Sequence, residues 1–163
     1  MEGSISMKLE VNASASETWK VYGSLLLPKI IMDTFPDKYS ELKVVKGDGH
    51  SGTIVEVFFA SGVPGPKWYR EEYVVVDDVK RFKLAKILKG GVLEQGFKSY
   101  VTRLEAIEKE GKPDACIITG TVDYMLEDES GLQVISGAVE AFYQILKAVA
   151  DYVIKHHNTT TTN

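Results

Sequence analysis

One cysteine in 163 residues leaves nothing for an internal disulfide. Cys116 sits in the apolar run Ala115-Cys116-Ile117-Ile118 with no basic neighbour to activate a thiolate, so it reads as a small buried side chain. Basic charge is short as well: 19 Lys and Arg against 23 Asp and Glu give a formal charge of −4, and no basic stripe exists to track a phosphate backbone. Nucleic acid is therefore not expected as a partner. No apolar stretch approaches the roughly 20 residues that span a bilayer. The opening MEGSISMKLEV also lacks the charged start and apolar core of a secretion signal. These absences predict a cytoplasmic protein with no membrane partner, whose sequons at Asn12 and Asn158 stay unmodified. Of the three histidines, His156 and His157 are adjacent rather than i, i+4, which is poor metal spacing.

What is present suits one domain with a substantial core, here 1–155, followed by a polar stretch, 156–163, expected to be a disordered tail. Ser4 to Val11 alternates apolar and polar residues as a half-buried strand does. Ser14-Ala15-Ser16-Glu17 is a capping-box pattern that opens a short helix through Trp19 and Tyr22. Leu25 to Phe35 reads as a second one, with Pro28 in its first turn and Pro36 at its end. From Tyr39 the period becomes two. Gly47-Asp48-Gly49-His50-Ser51-Gly52 formally matches a dinucleotide fingerprint, but β-branched and aromatic residues follow it where that motif needs a helix, and no lysine follows Gly52 as a Walker loop would require. It reads as a glycine turn between strands, with His50 solvated. Further strands are expected over about Lys67–Val76, Lys80–Lys89, Glu94–Ile107 and Ala115–Leu126. One amphipathic helix then follows from the Asp128–Gly131 entry, with its apolar positions from Val134 through Val153. The expected class is α+β, a seven-stranded antiparallel sheet that curls around the long helix and leaves an apolar hollow closed by the two short helices.

The central hairpin, KWYREEYVVVDDVKRFKLAKIL, carries the candidate chemistry. If Tyr69, Glu71 and Tyr73 share a face with Lys83, Ala85 and Ile87, paired positions must sum to an even number. A three-residue loop, Asp77-Asp78-Val79, meets that condition and sets Tyr73 opposite Lys83 and Glu71 opposite Ala85. A two-residue turn would send Lys83 to the other face, and Phe82, Leu84 and Leu88 are equally apolar. The residues leave that choice open. They also leave Glu71 and Lys83 readable as an ordinary cross-strand pair.

The order strand, two short helices, six strands, long helix, with GDG-x-x-GT after the second strand, resembles the plant Bet v I superfamily of pollen allergens, pathogenesis-related proteins and major latex proteins, with its helix-grip, START-like fold. GDGHSGT, KWYREEYVVVDDVKRFK, GGVLEQG and SYVTRLEAI align most closely with the norcoclaurine and norbelladine synthases. The resemblance implies a pocket tyrosine at Tyr69, a glutamate at Glu71 and a catalytic lysine at Lys83, and so settles the register. It implies substrate contacts at Tyr73, Ala85, Ile87, Tyr100, Thr102, Val139, Phe142 and Leu146. Thr102 stands where norcoclaurine synthases carry an aspartate, which places the natural substrate in question.

The implied reaction condenses an aromatic ethylamine with an aldehyde, of Pictet–Spengler or imine-forming type, with no cofactor and no metal. The implied partner is a small aromatic or hydrophobic ligand, the protein being a monomer or weak dimer. The competing reading is a non-catalytic carrier of a hormone such as a cytokinin, or of an alkaloid or flavonoid, in the same cavity. A ribonuclease, a third activity reported in the superfamily, lacks a histidine pair or basic cleft here.

Overall fold

The computed structural model describes residues 1–161, with side chains through His156. Seven antiparallel strands form one sheet in the order β1-β7-β6-β5-β4-β3-β2. They are β1 (Glu2–Val11), β2 (Tyr39–Lys46), β3 (Thr53–Phe59), β4 (Trp68–Asp77), β5 (Phe82–Gly90), β6 (Phe97–Lys109) and β7 (Lys112–Leu126). Consecutive strands from β2 to β7 are neighbours, while β1 and β2 lie at opposite edges. The chain between those edges, α1 (Ala15–Tyr22) and α2 (Leu26–Thr34), must therefore cross the full width of the concave side. The seven strands, two short helices and long helix agree with the expected architecture.

α1 begins where its sequence says it should: Ser14 is extended, and its hydroxyl accepts from the Glu17 amide at 3.1 Å. The Glu17 side chain pairs with Lys20 at 2.9 Å. The glycine turn between β2 and β3 holds Gly47, Gly49 and Gly52 at φ of 89°, 106° and 93°, a left-handed region open to glycine at little cost. His50 is exposed there, as expected, 2.9 Å from Asp48 and 3.7 Å from Asp78. A 3-10 turn, Gly91–Glu94, follows β5, and the next strand begins at Phe97 instead of the expected Glu94.

α3 (Leu132–Thr161) lies against the concave face. It continues past Lys155, where ordered structure was expected to stop. The backbone of 156–161, expected to be a disordered tail, is thus helical, while the side chains beyond His156 and residues 162–163 entirely lie outside the described residues. Gly120 on β7 lets α3 approach: a Cβ there would come within 2.7 Å of Leu146 Cδ1 and 2.9 Å of Phe142 Cε1. The Tyr22 hydroxyl donates to the Leu146 carbonyl at 2.6 Å and ties the end of α1 to the middle of α3. Cys116 is fully buried, its Sγ 3.4 Å from Thr18 Oγ1, and burial raises its thiol pKa. The apolar side chains form three clusters rather than one: α1 and α3 on β1, β6 and β7; α2 on β2 to β5; and the start of α3 on the far ends of β5 to β7. The space between them is a cavity. Among the described residues no helix is long and apolar enough to cross a membrane.

Candidate active site

The cavity measures about 520 Å³ and is walled by the concave face of β2 to β6, by α2 and by one flank of α3. Its position follows from the β4–β5 hairpin, whose register differs from the expectation. Asp77 pairs with Phe82, leaving the four-residue loop Asp78–Arg81, and the αL position is taken by Arg81 at φ 54° instead of a glycine. An even loop alone would turn Lys83 outward. A bulge at Val74, between the pairs Val75–Leu84 and Tyr73–Ala85, restores the parity. The outcome is Val76 opposite Lys83, Tyr73 opposite Ala85 and Glu71 opposite Ile87, so the predicted partners, Tyr73–Lys83 and Glu71–Ala85, are corrected by two residues along β5. The predicted face is retained. Extra twist at the bulge costs one paired residue and aims Lys83 into the hollow.

Lys83 is 3% exposed. Its Nζ lies 3.7 Å from the centre of the Tyr73 ring and 3.5 Å from the Tyr22 carbonyl in the last turn of α1, where a helix leaves carbonyls unsatisfied and partly negative. Burial disfavours its charged form and brings its pKa down to about 8, against the opposing pull of Glu71. The Glu71 carboxyl is pushed up by the same desolvation, partly countered by Lys83. Among the described residues the two groups form no ion pair within 4.0 Å. Both line the cavity, where each charge acts on the other.

Around Glu71 stand four tyrosines. Burial, reinforced by the Glu71 charge, raises the phenol pKa of Tyr39 to about 12 and those of Tyr69, Tyr73 and Tyr100 further still. Among the described residues their hydroxyls have no hydrogen-bond partner, and all four rings line the cavity. Tyr39, Phe59 and Tyr69 form a row of rings across β2, β3 and β4, with centroids 5.5 and 5.8 Å apart. Tyr69 is backed by Gly90 and Gly91. A Cβ on Gly90, at φ 75°, would collide with the Trp68 carbonyl, and one on Gly91 would lie 3.0 Å from Tyr69 Cβ.

The structure brings Tyr69, Glu71, Lys83, Tyr73, Ala85, Ile87, Tyr100, Thr102, Phe142 and Leu146 into the lining of this one cavity. Val139 is the exception. It is half-buried but does not line the cavity, because the wall along the first half of α3 is made by Val134, Ala138 and Ala141 and turns onto Phe142 and Ile145, a track that leaves position 139 one residue, about 100°, to the side. Sequence reasoning missed Tyr39, Phe59, Lys38 and the Val63-Pro64-Pro66 rim. Tyr39 and Phe59 carried a usable signal, since both are aromatic ends of predicted strands; Lys38, in a turn, carried none.

A family model for the pathogenesis-related protein Bet v 1 family matches residues 1–156. The chain belongs to that family. It is similar to norbelladine synthase of Narcissus pseudonarcissus, with 36% identity over 155 residues that cover 95% of this chain and 94% of that protein. It is similar also to S-norcoclaurine synthase 1 of Papaver somniferum, with 29% identity over 153 residues, 93% of this chain but only 65% of that longer protein. Among solved structures, norcoclaurine synthase from Thalictrum flavum in complex with dopamine and hydroxybenzaldehyde superposes with a TM-score of 0.81 at 28% identity, covering 96% of this chain and 88% of the other. These relatives agree with the resemblance drawn from GDGHSGT and the KWYREEYVVVDDVKRFK hairpin.

Proposed function

We propose that the chain is a condensing enzyme that joins an aromatic ethylamine, of the dopamine or tyramine kind, to an aldehyde in plant alkaloid biosynthesis. The convergence of Tyr69, Glu71 and Lys83 on one aromatic-walled cavity carries this reading. The synthases to which the chain is similar support it.

The chemistry needs groups that exchange protons near neutral pH, which a lysine held near 8 does. The amine nitrogen attacks the aldehyde carbon, a C–N bond forms, and the carbonyl oxygen takes a proton supplied by the Lys83 ammonium. The amine nitrogen gives its own proton to the now neutral Lys83 amine, which passes it to the hydroxyl. Loss of the protonated hydroxyl as water leaves an iminium. Release of a proton from that iminium nitrogen ends the reaction as an imine. In the Pictet–Spengler course a ring carbon activated by a phenol attacks the iminium carbon, forming a C–C bond, and the ring proton passes to Glu71. Either way one amine and one aldehyde give one product and one water, with no cofactor or metal required. Tyr69 orients the intermediates through its free hydroxyl. Thr102, opposite Ala85, brings no charge, so among the described residues Glu71 is the sole carboxylate of the lining and the anion an amine substrate meets there.

Incubation with dopamine and 4-hydroxyphenylacetaldehyde, or with tyramine and a hydroxybenzaldehyde, should yield a condensed product by mass spectrometry. Replacing Lys83 by Ala should lower kcat/KM by about 10²- to 10⁴-fold, the range of a general acid–base residue. Turnover unchanged in Lys83→Ala would sink the assignment.

One observation favours the carrier reading: the Lys83 amine rests on the Tyr73 ring and the Tyr22 carbonyl, partners that hold it as a fixed cation of the wall. Tight binding of a hormone or alkaloid with no turnover of either substrate pair would decide for it. In both readings the partner is a small aromatic ligand, and the protein acts as a monomer or weak dimer.

A further inference from the structure

Lys38 is a second lysine in the cavity lining, and the proposed chemistry makes no use of it. It sits in the turn between α2 and β2, pinned by its own backbone: its amide donates to the Phe35 carbonyl at 3.0 Å, and its carbonyl accepts from the Ala60 amide at 2.8 Å. Its side chain is half-buried, with Nζ 5.4 Å from the centre of the Tyr39 ring. None of the ion pairs among the described residues includes it.

Two features set Lys38 apart from a surface lysine. The first is charge balance. The lining holds two lysines, Lys38 and Lys83, against one carboxylate, Glu71, and the Glu71 charge acts on Lys83, which leaves Lys38 without a counter-charge among the described lining residues. The second is place. Lys83 pairs with Val76 near the turn end of β4, whereas Tyr39, beside Lys38, pairs with Phe59, whose amide reaches Lys67 at the opposite end of β4. Three strand spacings, on the order of 14 Å, also separate β2 from β5. The two lysines thus mark opposite ends of the cavity, and the aromatic row Tyr39, Phe59 and Tyr69 lies at the Lys38 end.

We propose that Lys38 is a specificity-determining residue that selects a carboxylate-bearing aromatic ligand, its ring stacked on the Tyr39–Phe59–Tyr69 row and its carboxylate on the Lys38 amine. Within the reading of the cavity as an amine–aldehyde site, on which this assignment of a substrate rests, the carboxylate belongs to the aldehyde. The amine substrate, itself a cation when protonated, is repelled by Lys38 and directed toward Glu71. A partly desolvated cation gains most from an anion that also satisfies its N–H donors, which a carboxylate does and a neutral amide does less well.

The test separates binding from turnover. Titrations followed by NMR use phenylacetate and its uncharged analogue phenylacetamide on the wild type, Lys38→Met and Lys83→Met, with circular dichroism confirming that each variant is folded. Met keeps the apolar stem and removes the charge. Wild type should prefer phenylacetate by about tenfold or more, the effect of a charge-assisted hydrogen bond. That preference should fall to near one in Lys38→Met and persist in Lys83→Met. A preference that persists in Lys38→Met, that vanishes only in Lys83→Met, or that wild type never shows, overturns the proposal. In the turnover arm, 4-formylbenzoate is compared with its carboxamide, each with dopamine. If neither aldehyde reacts, the condensing function falls while the titrations still decide the role of Lys38. If both react equally in wild type, Lys38 does not select the aldehyde.

Discussion

At the scale of single residues, the site is assembled from side chains whose ordinary partners are missing. Lys83 has a ring face and a carbonyl in place of a carboxylate contact, and the tyrosines around Glu71 have no hydroxyl partner among the described residues. Tyr22 is the contrast. Its hydroxyl is buried and satisfied by Leu146 O, and its own carbonyl is the one facing Lys83, so one residue both fixes α1 on α3 and sets the position of the amine's neighbour. Replacing Tyr22 by Phe removes a donor and leaves an acceptor that can still take its intrahelical bond. The loss expected is that of one neutral hydrogen bond, about 1 kcal/mol in urea denaturation. A loss above about 3 kcal/mol would mean that the Leu146 carbonyl depends on Tyr22 alone. Residue types at this level were readable in advance for Ser14, which caps α1, and Cys116, which is buried, whereas the shared face of Tyr69, Glu71 and Lys83 followed only from the resemblance. Lys38 was not readable, because what distinguishes it, a place in the cavity lining with no ion pair among the described residues, is visible only in the folded arrangement.

At the scale of elements, legibility divides along a physical line. Periodicity and capping locate strands and helices because they report local preference, and those elements stand where expected to within a few residues. Register does not follow from local preference. The Val74 bulge and the left-handed Arg81 are settled by the whole sheet, and nothing in VVVDDVKR distinguishes a three-residue loop from a four-residue loop with a bulge. The position of Val139 is a similar case: helical spacing marks a broad apolar stripe, but which flank of the stripe meets the cavity depends on how α3 lies across β7. Gly120 sets that approach. Adding one methyl group there, as Gly120→Ala, drives Leu146 and Phe142 away from the sheet, with a loss of about 1–3 kcal/mol typical of overpacking. Because Phe142 and Leu146 also line the cavity, ligand affinity should fall with stability. Stability lost with affinity intact would show that α3 yields elsewhere.

At the scale of the molecule, the sheet and three helices enclose two ionisable groups that the fold would be more stable without. For Lys83, the pKa is lowered from 10.5 to about 8 in the folded state. Between those values the unfolded chain binds the proton and the folded chain does not, so stability rises with pH across that window and carries the full penalty below it. For Glu71 the folded pKa is raised from 4.5, so the folded state retains a proton that the unfolded chain has released, and stability falls as pH climbs from 4.5 toward that raised value. Together they place the cost of the site in the neutral range, where the proposed chemistry operates. This is the trade between stability and function expected of a preorganised polar site in an apolar cavity. The double variant Glu71→Gln, Lys83→Met removes both charges at similar volume. It should be more stable than wild type by on the order of 3 kcal/mol or more near pH 7. Denaturation midpoints at a series of pH values supply the check, since every other titrating group cancels in the difference. The advantage should grow as pH rises above 4.5, reach its maximum below about 8, and shrink between about 8 and 10.5 as wild-type Lys83 becomes neutral in both states. A difference that stays flat across pH would mean that Lys83 and Glu71 titrate alike in the folded and unfolded chains, and the electrostatic basis of the proposed catalysis would go with it.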